Sequence, residues 1–266
     1  MSLLGFGTIL DNHPSFEALI YAIDVGRVPS SVAFTIDIFG ENLDIDAAAT
    51  EDIWTAGGTK TDQTSVGTIE VVSDSTDDDS AGTGARTVRL TGYTSTYATG
   101  SDTVTMDGTT AVEVEDFLDV YFAEVVTAGS TNNNVGNITI RKKTGPVTVN
   151  HIAAGQNQSQ SSYYIIPNNH TGFLISFTGS VGDSAAGGNE TIGELTLERQ
   201  KEGSSIWLHQ QNHHYNSSAG PHQHEMHGVE KFLEKERIKL VFKSDTANSR
   251  VYANYQLAVI NNDYLP

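Results

Sequence analysis

The sequence predicts an all-β protein, and three observations carry that prediction. β-Branched residues recur in short alternating runs, bounded by clusters of Gly, Ser, Thr, Asn and Asp, with 25 glycines in 266 residues. Asp107-Gly108 stands between two such runs, and Asp-Gly readily takes the two φ > 0 positions of a tight hairpin turn. Helical spacing occurs only over Pro14–Ile23 and Val229–Glu236, each about two turns or less. The expected architecture is therefore an antiparallel β-sandwich or jelly-roll-like set of modules, with short helices only at the N-terminus and near residue 230.

Taken in order, residues 1–30 read as an N-terminal arm with helix-like residues, a proline and no hairpin partner. Val66–Val72 and Thr87–Thr91 alternate at period two around a polar tip and predict a long-looped hairpin. Ser101–Met106 and Thr109–Val114 predict a tight one across Asp107-Gly108. Asp119–Val126, Gly136–Arg141 and Val147–Val149 follow through Gly/Asn turns as a meander. Residues 31–150 thus form an expected first β module. Tyr163–Ile166, Gly172–Phe177, Gly193–Arg199, Ser205–Leu208, Ile238–Phe242 and Arg250–Ile260 predict strands of a second module over 151–266, or a continuation of the first. Pro146 and the polar stretch Gln156–Ser162 mark the boundary.

Composition narrows the function classes. With 15 Lys+Arg against 33 Asp+Glu the formal charge is −18, and the basic residues are scattered, so the expectation is no nucleic-acid partner. The absence of cysteine excludes a disulfide scaffold, a Cys-ligated zinc site, an iron–sulfur cluster and a thiol nucleophile. Apolar stretches such as Ser31–Ile38 and Tyr252–Ile260 break well before the roughly 20 residues a bilayer requires, so no membrane association is expected. Met1–Gly7 lacks a basic region and a long apolar core, which predicts synthesis without Sec export.

Several strings point to a family. Phe39-Gly-Glu-Asn-Leu-Asp-Ile-Asp46, Glu51–Trp54 with Gly57-Gly58, Ala81–Val88, and Asp107–Val112 resemble a family of virion structural proteins of tailed bacteriophages, of the marine and cyanobacterial type. The likeness continues through Val126–Gly129, Asn134–Ile140 and the closing Ile238–Lys243, Ser244–Asn248 and Val251–Ile260, and covers most of the chain from about residue 35. It departs from the family at the N-terminus and between His209 and Phe232. The resemblance implies a particle component located in the virion and brings no enzymatic motif.

Chemistry-bearing motifs are few. His209–His227 holds six of the nine histidines, and imidazole is the commonest protein ligand for borderline metals. His222 and His224, at i and i+2, fall on one face of an extended segment, and three copies around a trimer axis would surround a transition metal with His227 as a further candidate; the alternative is a solvated polar loop. His224-Glu-Met-His227 does not have the spacing of a metalloprotease helix. The acidic stretch 74–82, with Asp74, Asp77, Asp78 and Asp79, offers hard oxygen donors for calcium but not the EF-hand spacing, or else a solubilising loop tip. There is no nucleophile elbow, Walker loop or dinucleotide fingerprint, and Glu113/Glu115 and Glu234/Glu236 read as exposed charges. Tyr163, Tyr164, Trp54 and Trp207 read as a sugar platform or, more simply, as core.

These features predict a non-enzymatic virion structural protein without catalytic or cofactor-binding residues. It would be a homo-oligomer, by preference a homotrimer, acting as a capsid decoration or cement protein across major capsid subunits. The alternatives are a tail fibre, spike or baseplate component contacting the host, and a carbohydrate-binding or polysaccharide-degrading β domain.

Overall fold

The structure, a computed structural model, describes residues 15–182, 190–219, 222–225 and 230–265. Helix α1 (Phe16–Asp24) leads into β1 (Ala33–Ile45) and β2 (Thr50–Asp52). Then come β3 (Gly67–Ser73), β4 (Ala85–Tyr93), β5 (Thr99–Thr105), β6 (Val112–Phe117), β7 (Asp119–Ala128), β8 (Ile138–Lys142) and β9 (Thr148–Ile152). The chain continues as β10 (Tyr164–Ile165), β11 (His170–Gly182), β12 (Ile192–Gln200), β13 (Trp207–Asn216), β14 (His222–Glu225), β15 (Lys231–Phe232), β16 (Arg237–Ser244) and β17 (Ser249–Asn261). Every ladder between these strands is antiparallel, and the expected all-β sandwich class holds.

One sandwich is a jelly roll. β2 and β10 both pair with β16, at Val241–Lys243 and at Arg237–Ile238, so together they fill one interrupted strand position. Likewise β14 and β15 both pair with β11. Numbering the positions along the chain, the sheets β1-β17-β11-β14 and β10-β16-β12-β13 become 1-8-3-6 and 2-7-4-5. That is the order of two Greek keys wound as a jelly roll. Between the sheets, Ile38, Leu174, Phe177, Leu195, Leu197, Leu240, Phe242, Tyr255 and Leu257 form the buried core. Alternation along β17 aims Val251, Ala253, Tyr255, Leu257 and Val259 inward and leaves Tyr252 exposed.

The second sandwich is inserted into the first. Sheets β6-β3-β8-β9 and β5-β4-β7 enclose a separate core of Ile69, Val71, Val88, Leu90, Met106, Val120, Ile138 and Ile140. The chain leaves and returns side by side: Ser162 N–H donates to Ile53 O at 2.9 Å and Thr55 N–H to Gln160 O at 3.1 Å. Closely spaced ends allow a whole domain to sit within one strand position. Where the two units meet, the rings of Tyr93, Tyr121 and Tyr164 pack in tilted and T-shaped contacts with centroids 5.1–6.0 Å apart, and Tyr93 Oη accepts the Ile165 N–H.

Several expectations need correcting. Residues 33–52, placed in the first module, belong to the jelly roll, because β1 pairs with β17 from Ala33↔Ile260 onward. The runs 101–106 and 109–114 do not pair: β5 joins β4, whereas β6 joins β3 in the opposite sheet. Gly108 does take positive φ (57°), but its N–H donates to Asp78 O and its carbonyl accepts the Ser73 N–H. The turn is thus pinned to the end of β3 and becomes an arch between sheets. β3 and β4 part in the same way, and within the predicted meander only β8 and β9 pair as neighbours. Among the described residues near 230 there is no helix; Phe232 is buried opposite Gly172 in β15, and Lys235 turns with φ of 63°.

Of the expected arm 1–30, residues 1–14 lie outside the described residues. The rest docks on its own chain. Ser15 caps α1 by accepting the Ala18 N–H, and Leu19, Ala22 and Ile23 pack with Val28, Ala33 and Ile260. Among the described residues no helix is long and apolar enough to cross a membrane.

Candidate functional site

Alternation in the second jelly-roll sheet buries Ile238, Leu240 and Phe242 and puts Arg237, Lys239 and Val241 on the opposite face. Antiparallel register sets Gln200 beside Arg237, Glu198 beside Lys239 and Thr196 beside Val241, with Trp207 and His209 next in line on β13. The result is a polar ladder across three strands. Lys239 Nζ lies 2.6 Å from Asp52 Oδ1, 3.8 Å from Glu198 Oε2 and 4.4 Å from the centre of the Trp207 ring. His209 Nε2 lies 3.1 Å from Glu198 Oε1.

The ladder is roofed by the linker over 53–66, which runs from the jelly roll to the inserted sandwich. Arg237 donates to Gln200 Oε1 at 2.7 Å and to Gln63 O at 2.6 Å. Asp62 Oδ2 accepts from Gln200 Nε2 at 2.9 Å and from Trp207 Nε1 at 3.1 Å. Asp52 Oδ2 accepts the Lys60 N–H at 2.7 Å, while Lys60 Nζ reaches both oxygens of Asp119 on β7. Burial pushes the carboxyls of Asp52 and Glu198 above the ordinary carboxylate range, with the nearby Lys239 ammonium opposing the shift in both. These groups fasten the linker to both sandwiches; Asp52 and Asp62 point their oxygens at donors of the fold itself.

The sequence candidates fall elsewhere. The described part of the histidine-rich stretch lies mostly on two strands of the fold and not on an inserted loop: β13 ends one sheet and β14 ends the other. His222 and His224 lie on β14 opposite Gly179 and Phe177, and His227 lies outside the described residues. His213 packs its ring 4.7 Å from that of Phe177, while His209 sits on the polar ladder. Among the described residues no group of three or more His, Asp or Glu is placed to hold a metal ion.

In the acidic stretch 74–82, Asp78 is wholly buried. Its two oxygens accept from Ser73 Oγ, Ala85 N, Val135 N and Gly136 N at 2.6–2.9 Å, and Asp74 binds Asn137 through both of its own. Here the carboxylates organise the backbone of the inserted sandwich. Tyr163, Tyr164 and Trp54 are buried, so none presents a ring face to a sugar; Trp207 is half-buried, in a T-shaped contact with Tyr163 at 6.2 Å between centroids.

One histidine reports on the junction. His151 Nδ1, on β9, lies 3.2 Å from Thr55 Oγ1, and burial holds its imidazole below the usual 6.5, with the Asp74 carboxylate opposing the shift. The unfolded chain therefore takes up a proton that the folded chain refuses. His151 contributes stability that is fully present above pH 6.5 and is lost progressively as the pH falls from there through the lowered value of the folded chain. Urea unfolding between about pH 7.5 and about pH 5.5 is expected to show a smaller loss of stability in His151→Gln than in the wild type. An equal loss in both would sink this assignment.

No protein-family model matches the chain, and no curated protein matches it. Among solved structures, one of infectious bursal disease virus Gt strain aligns over 86% of this chain and 72% of that chain, at 10% identity and a TM-score of 0.18. A likeness that faint carries no argument about fold or function.

Proposed function

We propose that this chain is a structural protein of a tailed-phage virion, a capsid decoration or cement protein that binds across major capsid subunits. The observation that carries the reading is the edge strand β13. Its ten residues include no Asp, Glu, Lys or Arg in a chain of charge −18, and among the described residues it pairs only with β12. Exposed apolar side chains surround it: Ile192 is 48% exposed, Ile206 64% and Leu208 40%. Sheet edges are normally blunted by charge, proline or shortness, and β13 has only a bulge at Gln210. A long neutral edge with an apolar border suits strand addition by a neighbouring chain.

The jelly roll supports this reading by analogy alone, since the same architecture serves viral capsids, lectins and cupins. An acidic exterior keeps a lattice-bound protein soluble.

The test is co-sedimentation with capsids assembled without this protein. The Leu208→Glu/Asn212→Lys double variant, folded by circular dichroism, is expected to bind roughly tenfold or more weakly than the wild type. Unchanged binding would overturn the role of β13. Imaging of intact particles that placed the protein on the tail alone would overturn the capsid assignment.

A further inference from the structure

Lys60 and Asp119 form an ion pair unlike any other in the described residues. Their side chains are 1% and 0% exposed, and Lys60 Nζ is 2.8 Å from Oδ1 and 2.7 Å from Oδ2 of the same carboxyl. One wall is the Tyr163 ring, 4.0 Å from Nζ at its centroid, and Tyr163 is itself buried. Asp119 Oδ1 also accepts the Val120 N–H at 2.8 Å, whereas among the described residues Oδ2 has Lys60 as its sole hydrogen-bond partner. Two charges withdrawn from water cost several kcal/mol each before their attraction is counted.

We propose that this pair is the site of an intramolecular isopeptide bond between Lys60 Nζ and Asp119 Cγ. The step is a dehydration and needs no oxidant, reductant or external reactant. Transfer of one proton within the pair gives a neutral amine and a neutral carboxylic acid, the combination that a dry site favours. The amine lone pair attacks Cγ, and the Val120 N–H steadies the charge that gathers on Oδ1. A proton passes from nitrogen to Oδ2, the Cγ–Oδ2 bond breaks and Oδ2 leaves as water. Oδ1 stays as the amide oxygen, still bonded to Val120.

Fixed contact between the two groups supplies what the reaction lacks in free solution. Well-oriented intramolecular partners behave as if present at about 10⁵ M or more. Burial also raises the Asp119 carboxyl above the ordinary carboxylate range despite the neighbouring Lys60 ammonium, so the neutral acid is accessible. Of the other buried amines, Lys142 donates to the Phe117 and Ser65 carbonyls and has no carboxylate in hydrogen-bond reach, while Lys239 lies 2.6 Å from a single oxygen of Asp52 and its side chain is more exposed than that of Lys60. The product would covalently tie the linker to β7, and so the jelly roll's exit strand to the inserted sandwich. The inference is independent of the virion assignment.

Mass spectrometry of the full-length chain tests it. The denatured wild type is expected to be one water lighter than its sequence, and a proteolytic digest is expected to yield a branched peptide containing both Lys60 and Asp119. Lys60→Arg keeps the charge and is expected to show the full sequence mass. Asp119→Asn is expected to lose ammonia in place of water and to reach the wild-type cross-linked mass. Separate, unmodified Lys60 and Asp119 peptides from the wild type would overturn the proposal, and that measurement needs no variant to fold. So would a water loss that persists in Lys60→Arg, which would place the dehydration elsewhere, as at Asp107-Gly108.

Discussion

Replacing Asp78 with alanine is expected to unfold the inserted sandwich and leave the jelly roll standing. The four donors to this carboxylate come from three separate stretches: Ser73 ends β3, Ala85 begins β4, and Val135 and Gly136 precede β8. A carboxylate has about four acceptor positions, and here they are filled from both sheets of the sandwich. Alanine removes all four acceptors at once. Three backbone N–H groups are then left without partners, and Ala85 and Gly136 are buried. At about 1–3 kcal/mol for each of these two buried groups, the loss is on the order of 2–6 kcal/mol, approaching the whole stability of a small domain. Asparagine would not rescue it, because its NH₂ group would face donors.

Hydrogen exchange locates the damage. Amides of Ile69, Val88 and Ile140 in the inserted core are expected to lose protection, while those of Leu197, Leu240 and Leu257 keep theirs. Urea unfolding is expected to become two-step. A single transition with less than about 1 kcal/mol lost would show that water reaches these donors and that the carboxylate is dispensable.

The strands were legible where alternation was strong, and their partners were not. Arg250–Ile260 reads as a strand from its own residues, and it is one; nothing local shows that Ile36 lies opposite Leu257. Asp107-Gly108 makes the tight turn its residues require, yet turn chemistry specifies a reversal of direction and not the sheet to which each arm returns. That choice is made by Gly108, whose backbone is held by the Asp78 carbonyl and the Ser73 N–H.

The polar ladder shows the same limit. Ile238–Phe242 reads as a strand, and period-two alternation sets Ile238 and Leu240 on one face and Arg237 and Lys239 on the other. Both are buried because the linker carrying Asp62 and Gln63 folds over them, and Gln63 is 174 positions from the Arg237 that binds its carbonyl. The histidines misled for a related reason. A polar, His-rich string looks like a loop, but the edge of a sandwich tolerates polar side chains on a strand.

Gly40→Val is expected to do the reverse of Asp78→Ala: dismantle the jelly roll and spare the inserted sandwich. Gly40 lies on β1 beside Ala253, where the chain leaves for the insertion and comes back. A Cβ there would sit 2.1 Å from the Ile53 carbonyl oxygen and 2.7 Å from the Ser162 nitrogen. Those two atoms are bonded to each other at 2.9 Å, so both are backbone and neither can rotate away. The overlap is with the seam itself. Relief requires β1 to lift from the interrupted strand position, exposing Ile38 and Ile53, or requires the Ser162–Ile53 bond to break and orphan two buried groups.

Either route costs about 3 kcal/mol or more, with the Asp78 cradle untouched. Protection is then expected to be lost at Leu240, Val241 and Leu257 and retained at Ile69, Val88 and Ile140. Equal loss in both sets would mean that the two cores unfold as one unit, with the tyrosine cluster at Tyr93, Tyr121 and Tyr164 transmitting the collapse. Stability within about 1 kcal/mol of the wild type would show that β1 is not sealed against the insertion's exit and return.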